Sequence, residues 1–364
     1  MNMVTLFFLF FCVHTRLSAS TSSGYNKIFS FGDSIADTGN LLHSGALANP
    51  VIGSLPYGET FFNHPTGRCS NGRLIIDFIA EKYGLPYLPP YLQVAKSLKS
   101  KAKHGVNFAV AGATALDAQF FYDQGIGGIL WTNDSLNIQL GWFKRLKSSM
   151  CTTKQECDSY FKRSLFMMGD IGGNDYNYAF FLGGTITKLK RMVPLVVETI
   201  ISATSIVIEE GAKEVVVPGN FPIGCSAIYL TLFETQNKTA YDGNGCLKAY
   251  NAFSKYHNTQ LKLALETLRQ KYPRVRIIYA DYYGAAKALF HIPHHLRLEN
   301  ALSACCGGGG PYNFNNTARC GHIGSKVWED PSTYSNWDGV HLTETAYRHI
   351  ATGLLDGTFT SPPI

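Results

Sequence analysis

Five short apolar runs, separated by longer segments of helical spacing, constrain the fold of this chain more than any other feature. Residues 28–31, 106–109, 165–168, 214–217 and 275–279 are dominated by Ile, Val, Leu, Phe and other apolar side chains and are too short for helices. Their nearly unbroken apolar character suits strands buried on both faces, as in a parallel sheet. Between them, residues 73–83, 136–146, 189–210 and 247–271 repeat apolar side chains at helical spacing, with Gly84 and Gly211 placed as stops. Such alternation predicts a parallel sheet with helices on both faces. With 364 residues, 45% of them hydrophobic, the chain can bury one large α/β core. No repeat or low-complexity linker divides it, so residues 21–364 are expected to form a single domain.

The opening residues carry a separate message. Residues 6–13 are apolar but too few to span a bilayer, and Ser18, Ala19 and Ser20 follow as small residues. Residues 1–20 therefore read as a cleaved signal peptide. No later segment has the uninterrupted apolar length of a membrane helix, so the mature protein is expected to be soluble, without a transmembrane anchor, and secreted, extracellular or vacuolar through the secretory pathway. Of nine cysteines Cys12 would leave with the signal, and the remaining eight suit an oxidising compartment. Short separations favour Cys151 with Cys157 and Cys225 with Cys246. Cys69, Cys305, Cys306 and Cys320 allow two more bridges of open connectivity, adjacent Cys305 and Cys306 not joining each other. No paired C-x-x-C spacing supports zinc. Sequons at Asn133, Asn237 and Asn315 would be glycosylation sites after secretion.

A formal charge of +6 is spread thinly, because only 16% of residues are charged. The densest basic patch, Lys96, Lys99, Lys101 and Lys103, reads as solvated surface, so nucleic acid is not an expected partner and a monomer is. His291, His294 and His295 have irregular, Pro-containing spacing and read as a solvated loop with no metal. Gly307 to Gly310 lack the preceding strand and following Lys-Ser/Thr of a phosphate loop. No cofactor is expected.

Chemistry concentrates in segments far apart in the chain. Ser34 follows the first strand directly, and a serine hydroxyl needs a base within hydrogen-bond reach to lose its proton during attack. His341, three residues after Asp338, can offer one ring nitrogen to that carboxylate and the other to Ser34. Both lie in a loop just before a helix that Thr343 can cap. An oxyanion formed on attack would need donors already in place, and the backbone N–H of Ser34, the backbone N–H of Gly112 and the side-chain amide of Asn174 are available if their strands are neighbours. Asp33, Asp37 and Asn40 read as organisers of the first loop. The irregular stretches 41–71 and 301–335 are expected to shape the mouth of the site.

Four motifs in this order, Phe31-Gly32-Asp33-Ser34-Ile35-Ala36-Asp37-Thr38-Gly39-Asn40, Asn107 to Gly112, Gly172-Gly173-Asn174-Asp175 and Asp338-Gly339-Val340-His341, resemble the plant GDSL esterase/lipases, a branch of the SGNH hydrolase superfamily. The segment Pro65-Thr66-Gly67-Arg68-Cys69-Ser70-Asn71-Gly72-Arg73 is also similar to plant members, and Ile35 stands where the family name implies leucine. The resemblance implies a flavodoxin-like three-layer α/β/α sandwich with a mainly parallel five-stranded sheet. It also implies Ser34 as nucleophile and first oxyanion donor, Gly112 and Asn174 as the other donors, and Asp338 and His341 as the rest of a Ser-His-Asp triad. The expected activity is hydrolysis of carboxylic esters through an acyl-enzyme, on a small-molecule ester with an aromatic or lipid group. Tyr57, Phe61, Phe62, Phe120, Phe121 and Tyr122 are aromatic candidates for contact with it. Two alternatives use the same fold: an acyltransferase that passes the acyl group to an alcohol, and a secreted binding protein without catalysis.

Overall fold

Each of the five apolar runs is a strand: β1 (Lys27–Ser30), β2 (Gly105–Asn107), β3 (Ser164–Met167), β4 (Glu214–Pro218) and β5 (Arg276–Ala280). A sixth, β6 (Thr360–Ser361), was not foreshadowed by its two polar residues. The computed structural model describes residues 24–48, 50–95, 102–291 and 293–364. The expected signal peptide with Cys12, and Lys96, Lys99 and Lys101 of the basic patch, lie outside the described residues. The sheet runs β6-β5-β4-β3-β1-β2, parallel throughout except for β6, which is antiparallel to β5.

The helices that cover this sheet or border its carboxyl edge are α1 (Ile75–Lys82), α2 (Leu136–Lys147), α3 (Gly173–Phe181), α4 (Val193–Glu209), α5 (Lys248–Lys271), α6 (Tyr282–His291) and α7 (Glu344–Leu355). Successive strand residues face opposite ways. Phe29, Phe166, Val215 and Ile277 pack with α2, α4 and α5, whereas Ile28, Leu165, Val216 and Ile278 pack with α1, α6 and α7. The result is a three-layer α/β/α sandwich in which strands are apolar on both faces because both are covered.

Two sequence expectations need correction. The helix expected over 189–210 is divided into Ile186–Lys190 and α4, with Arg191 and Met192 between them. Pro194 is the cause: it sits in the first turn of α4, where its missing N–H is harmless, and could not sit inside a continuous helix. The stretch Ile186–Glu209 is long and apolar enough to cross a membrane, but Val193, Val196, Ile200, Ala203 and Val207 form a buried face within the core. Disulfides join Cys151 to Cys157, Cys225 to Cys246 and Cys306 to Cys320. Among the described residues a fourth bridge is not made. Cys69 and Cys305 are buried free thiols, the first beside His341 and the second with its Sγ 3.9 Å from the Trp328 carbonyl.

The two irregular stretches fasten the loop that precedes α7. Arg68 pairs with Asp77 of α1 through two bonds of 2.8 and 2.7 Å, both side chains almost wholly buried. Arg73 reaches Glu344 at the start of α7 (2.7 Å), and the Asn71 side chain accepts the Glu344 N–H (2.8 Å). From the other side, Asn300–Ala304 pairs with Tyr334–Asn336, and the Cys306 N–H donates to the Trp337 carbonyl (2.7 Å). Segment 337–342 is thus fixed at its start by residues 300–306 and just past its end, at Glu344, by Asn71 and Arg73.

Candidate active site

The strand order β2-β1-β3-β4-β5 places a switch point between β1 and β3, where the connections leave in opposite directions and open a crevice at the strands' carboxyl ends. Ser34 lies just past β1 and Asn174 in the first turn of α3, after β3. The first loop is held tightly. Gln139 of α2, fully buried, accepts the Gly32 N–H and donates to the Gly32 carbonyl, each at 2.9 Å. The Asp33 N–H donates to the Asp170 carbonyl (2.9 Å), and Asp33 Oδ1 accepts the Ile35 N–H (3.0 Å).

His341 Nε2 stands 2.8 Å from Ser34 Oγ, and its Nδ1 stands 2.7 Å from Asp338 Oδ2. Asp338 Oδ1 accepts the backbone N–H groups of His341 (2.8 Å) and Val340 (3.0 Å), which closes the turn and aims the ring. Thr343 caps α7 by accepting the Ala346 N–H (3.2 Å). All three side chains of this line of contacts are buried. Burial opposes the charge on His341, but the Asp338 carboxylate, together with Cys69 beside the ring, outweighs it and raises the imidazole well above 6.5. Burial likewise opposes the Asp338 anion, yet His341 and the donors around it hold the carboxyl below its usual range. Burial pushes the Cys69 thiol up, while His341 beside it acts in the opposite direction.

Gly112 and Asn174 come to the same rim. Asp37 gathers the N–H groups of Gly39, Asn40, Leu41 and Ala111, which ties the Ser34 loop to the turn at Gly112. Asn40 donates to the carbonyls of Asn107 and Ala109 (2.9 and 2.8 Å), reinforcing that tie. Asp175, next to Asn174, accepts the Ala115 and Leu116 N–H groups (2.8 and 2.9 Å). The Asn174 amide donates to the Ala113 carbonyl (3.1 Å) and Asp33 Oδ2 (3.3 Å), bridging the segments that carry Gly112 and Ser34. The backbone N–H groups of Ser34 and Gly112 have no protein acceptor among the described residues. Gly112 has φ +84, and a Cβ there would meet Trp131 Cβ at 2.6 Å and the Tyr178 hydroxyl at 2.9 Å, so position 112 requires glycine.

Residues 28–354 match the family model described as GDSL-like Lipase/Acylhydrolase. The chain belongs to that family. It is 53% identical to a GDSL esterase/lipase of Arabidopsis thaliana, over 99% of this chain and 98% of the relative. A second Arabidopsis GDSL esterase/lipase is 48% identical over 98% of this chain and 91% of the relative. A protein of Brassica napus named sinapine esterase is 47% identical over 98% of this chain and 92% of its own length. This GDSL hydrolase therefore acts on carboxylic esters, small-molecule esters being the substrate class that goes with the family. The three disulfides among the described residues suit the secretory pathway.

Several residues around the GDSL serine escaped the sequence reading or entered it in another role. Tyr57, considered there only as a substrate contact, donates its hydroxyl to Asp338 Oδ2 at 2.8 Å and packs edge-on against Trp337. Gln139 and Asp175 had no assigned role. The aromatic candidates are also redistributed. Phe61 and Phe62 lie under the guanidinium groups of Arg73 and Arg68, Phe121 is core, and neither Phe120 nor Tyr122 lines the cavity at Ser34. That cavity is walled by Phe181, Phe221, Tyr229 and Phe290, with Ile35 beside the serine. His294 and His295 are exposed, as is His291 at the end of α6.

Proposed function

We propose that this hydrolase is a secreted serine esterase that forms its acyl-enzyme on Ser34. The observation that carries the reading is the contact line from Ser34 Oγ to His341 Nε2 (2.8 Å) and from His341 Nδ1 to Asp338 Oδ2 (2.7 Å). In this reading Ser34 Oγ attacks the ester carbonyl carbon while His341 Nε2 takes the hydroxyl proton. Asp338 fixes the tautomer and stabilises the imidazolium. The carbonyl oxygen, now an anion, is met by the N–H groups of Ser34 and Gly112 and by the Asn174 amide, which turns from Ala113 and Asp33 toward it. His341 then gives its proton to the departing alcohol, and later takes one from water as that water attacks the acyl-enzyme and releases the acid. These steps call on no metal or organic cofactor.

The relative named sinapine esterase makes sinapine the first substrate to assay, and the aromatic rings of the cavity support an ester with an aromatic or lipid group. Secretion after removal of residues 1–20, a single domain over 21–364 and a monomeric state complete the reading. Asn133, Asn237 and Asn315 are exposed and would accept glycans there. A fluorophosphonate probe provides the test: it labels the wild type covalently at Ser34, and Ser34→Ala neither reacts with it nor hydrolyses aryl esters. Labelling that persists in Ser34→Ala refutes the nucleophile. Counting free acid against new ester, with an added alcohol acceptor, separates hydrolysis from acyl transfer.

A further inference from the structure

The cavity that holds Ser34 contains two buried acceptors left without a partner. Asp170 is 6% exposed and Asn336 is 1% exposed, both line this cavity, and the Oδ1 atom of each lacks a hydrogen-bond partner among the described residues. The Asn336 amide nitrogen is already committed to the Ala301 carbonyl (2.9 Å), so its oxygen is the atom left over. Buried polar groups are almost always paired, and exceptions in a cleft mark places where a ligand completes the set.

Most of the cavity's own donors are taken. The Asn174 amide donates to Ala113 and Asp33, the Asn177 amide to Asn174 (3.4 Å), the Tyr229 hydroxyl to Asn177 (2.7 Å) and the Ser226 hydroxyl to Ile223 (2.9 Å). Among the described residues no Lys or Arg lines the cavity, and the imidazole at its edge, His341, is already paired with the Asp338 carboxylate, so a carboxylate or phosphate on the substrate would find no free counter-charge there. Burial, and then Asp33 nearby, holds the Asp170 carboxyl well above its usual range, and with or without its proton the group offers an acceptor oxygen.

We infer that this cavity selects esters carrying a hydrogen-bond donor, a hydroxyl or a protonated amine, which Asp170 and Asn336 receive. The inference rests on Ser34 as the nucleophile of this same cavity and specifies what the site takes. Asp170 is then a specificity-determining residue: a guest hydroxyl donates its one hydrogen to one of the two oxygens, a protonated amine has hydrogens for both and favours the Asp170 carboxylate, whose proton leaves to water, and a bare alkyl group leaves both oxygens unpaired.

The test uses matched esters that end in a hydroxyl, an ammonium or a methyl group, with the variation placed on the acyl half in one series and on the alcohol half in another. On one half, the hydroxyl or ammonium ester is expected to exceed the methyl ester in kcat/KM by about 10- to 100-fold. Asp170→Leu is expected to reduce that ratio to about twofold, and Asp170→Asn, which retains a carbonyl oxygen, to restore the hydroxyl preference but not the ammonium preference. Equal or better use of the methyl ester on both halves by the wild type overturns the inference. Calorimetric binding of the same esters to Ser34→Ala repeats the comparison without turnover, so an error about the nucleophile is distinguished from an error about the cavity. Should Asp170→Leu not fold, the wild-type ratio and Asn336→Leu still decide the outcome.

Discussion

Tyr57→Phe removes one of four hydrogen bonds to the Asp338 carboxylate, the others coming from the His341 and Val340 backbones and from His341 Nδ1. The ring stays, and with it the edge-on contact to Trp337. A buried hydrogen bond to a charged group is worth about 1.5–3 kcal/mol, so the variant is expected to melt a few degrees lower. The same energy corresponds to a rise of about one to two units in the Asp338 carboxyl. That group starts below the usual range, so it remains an anion at neutral pH and the charge beside His341 survives. With the phenol gone, Oδ2 serves the imidazolium alone, and His341 holds its proton more firmly. The acid limb of kcat/KM, followed on an aryl ester across pH and alongside thermal melting, is expected to move up by about half to one unit, with the plateau within about tenfold of wild type. A limb that stays still or moves down, in a variant that melts lower, would refute the placement of Tyr57 on the carboxylate. So would a collapse of the plateau, which would put the phenol at the reacting atoms.

In the wild type itself, His341 must be neutral to act as base and its proton is held above 6.5, so the acid limb of kcat/KM should have its midpoint above that pH; a midpoint near 5 contradicts the pairing with Asp338. The same pair makes stability depend on pH in two senses. The raised His341 contributes fully below about pH 6.5 and loses its contribution as pH climbs through its folded value, whereas the depressed Asp338 contributes above about pH 3.9 and fades as pH falls. Melting of wild type against Asp338→Asn across pH reads both limbs. Asn174→Ala is expected to lower kcat by about 10²–10³ with little change in KM, and an unchanged kcat would remove the amide from the oxyanion site. Arg68→Met leaves Asp77 buried without its partner and should cost about 3–5 kcal/mol by chemical unfolding; a loss below 1 kcal/mol would mean that water reaches the carboxylate.

Apolar continuity located all five parallel strands, because a strand covered on both faces has nowhere to place a polar residue. Helix periodicity worked for α2 and α5 and failed at Pro194, where a local rule about a missing N–H overrode the pattern. The groups at Ser34, Asp338 and His341 could be read because each sits in a short motif at an element's end. Their supports could not. Tyr57 meets Asp338 across 281 residues and Gln139 meets Gly32 across 107, and a single polar residue in a loop or on a helix carries no local mark of a partner so remote. Asp170 was illegible for the opposite reason: its mark is a missing partner, which only coordinates reveal.

The serine and the imidazole are 307 residues apart in the chain and 2.8 Å apart when folded. During synthesis Ser34, the proposed nucleophile, therefore leaves the ribosome long before His341, its proposed base, has been made. On the proposed mechanism hydrolytic power arrives at the last step, with the closure of the carboxyl-terminal turn over the first strand, and a polypeptide that ends before His341 would lack it.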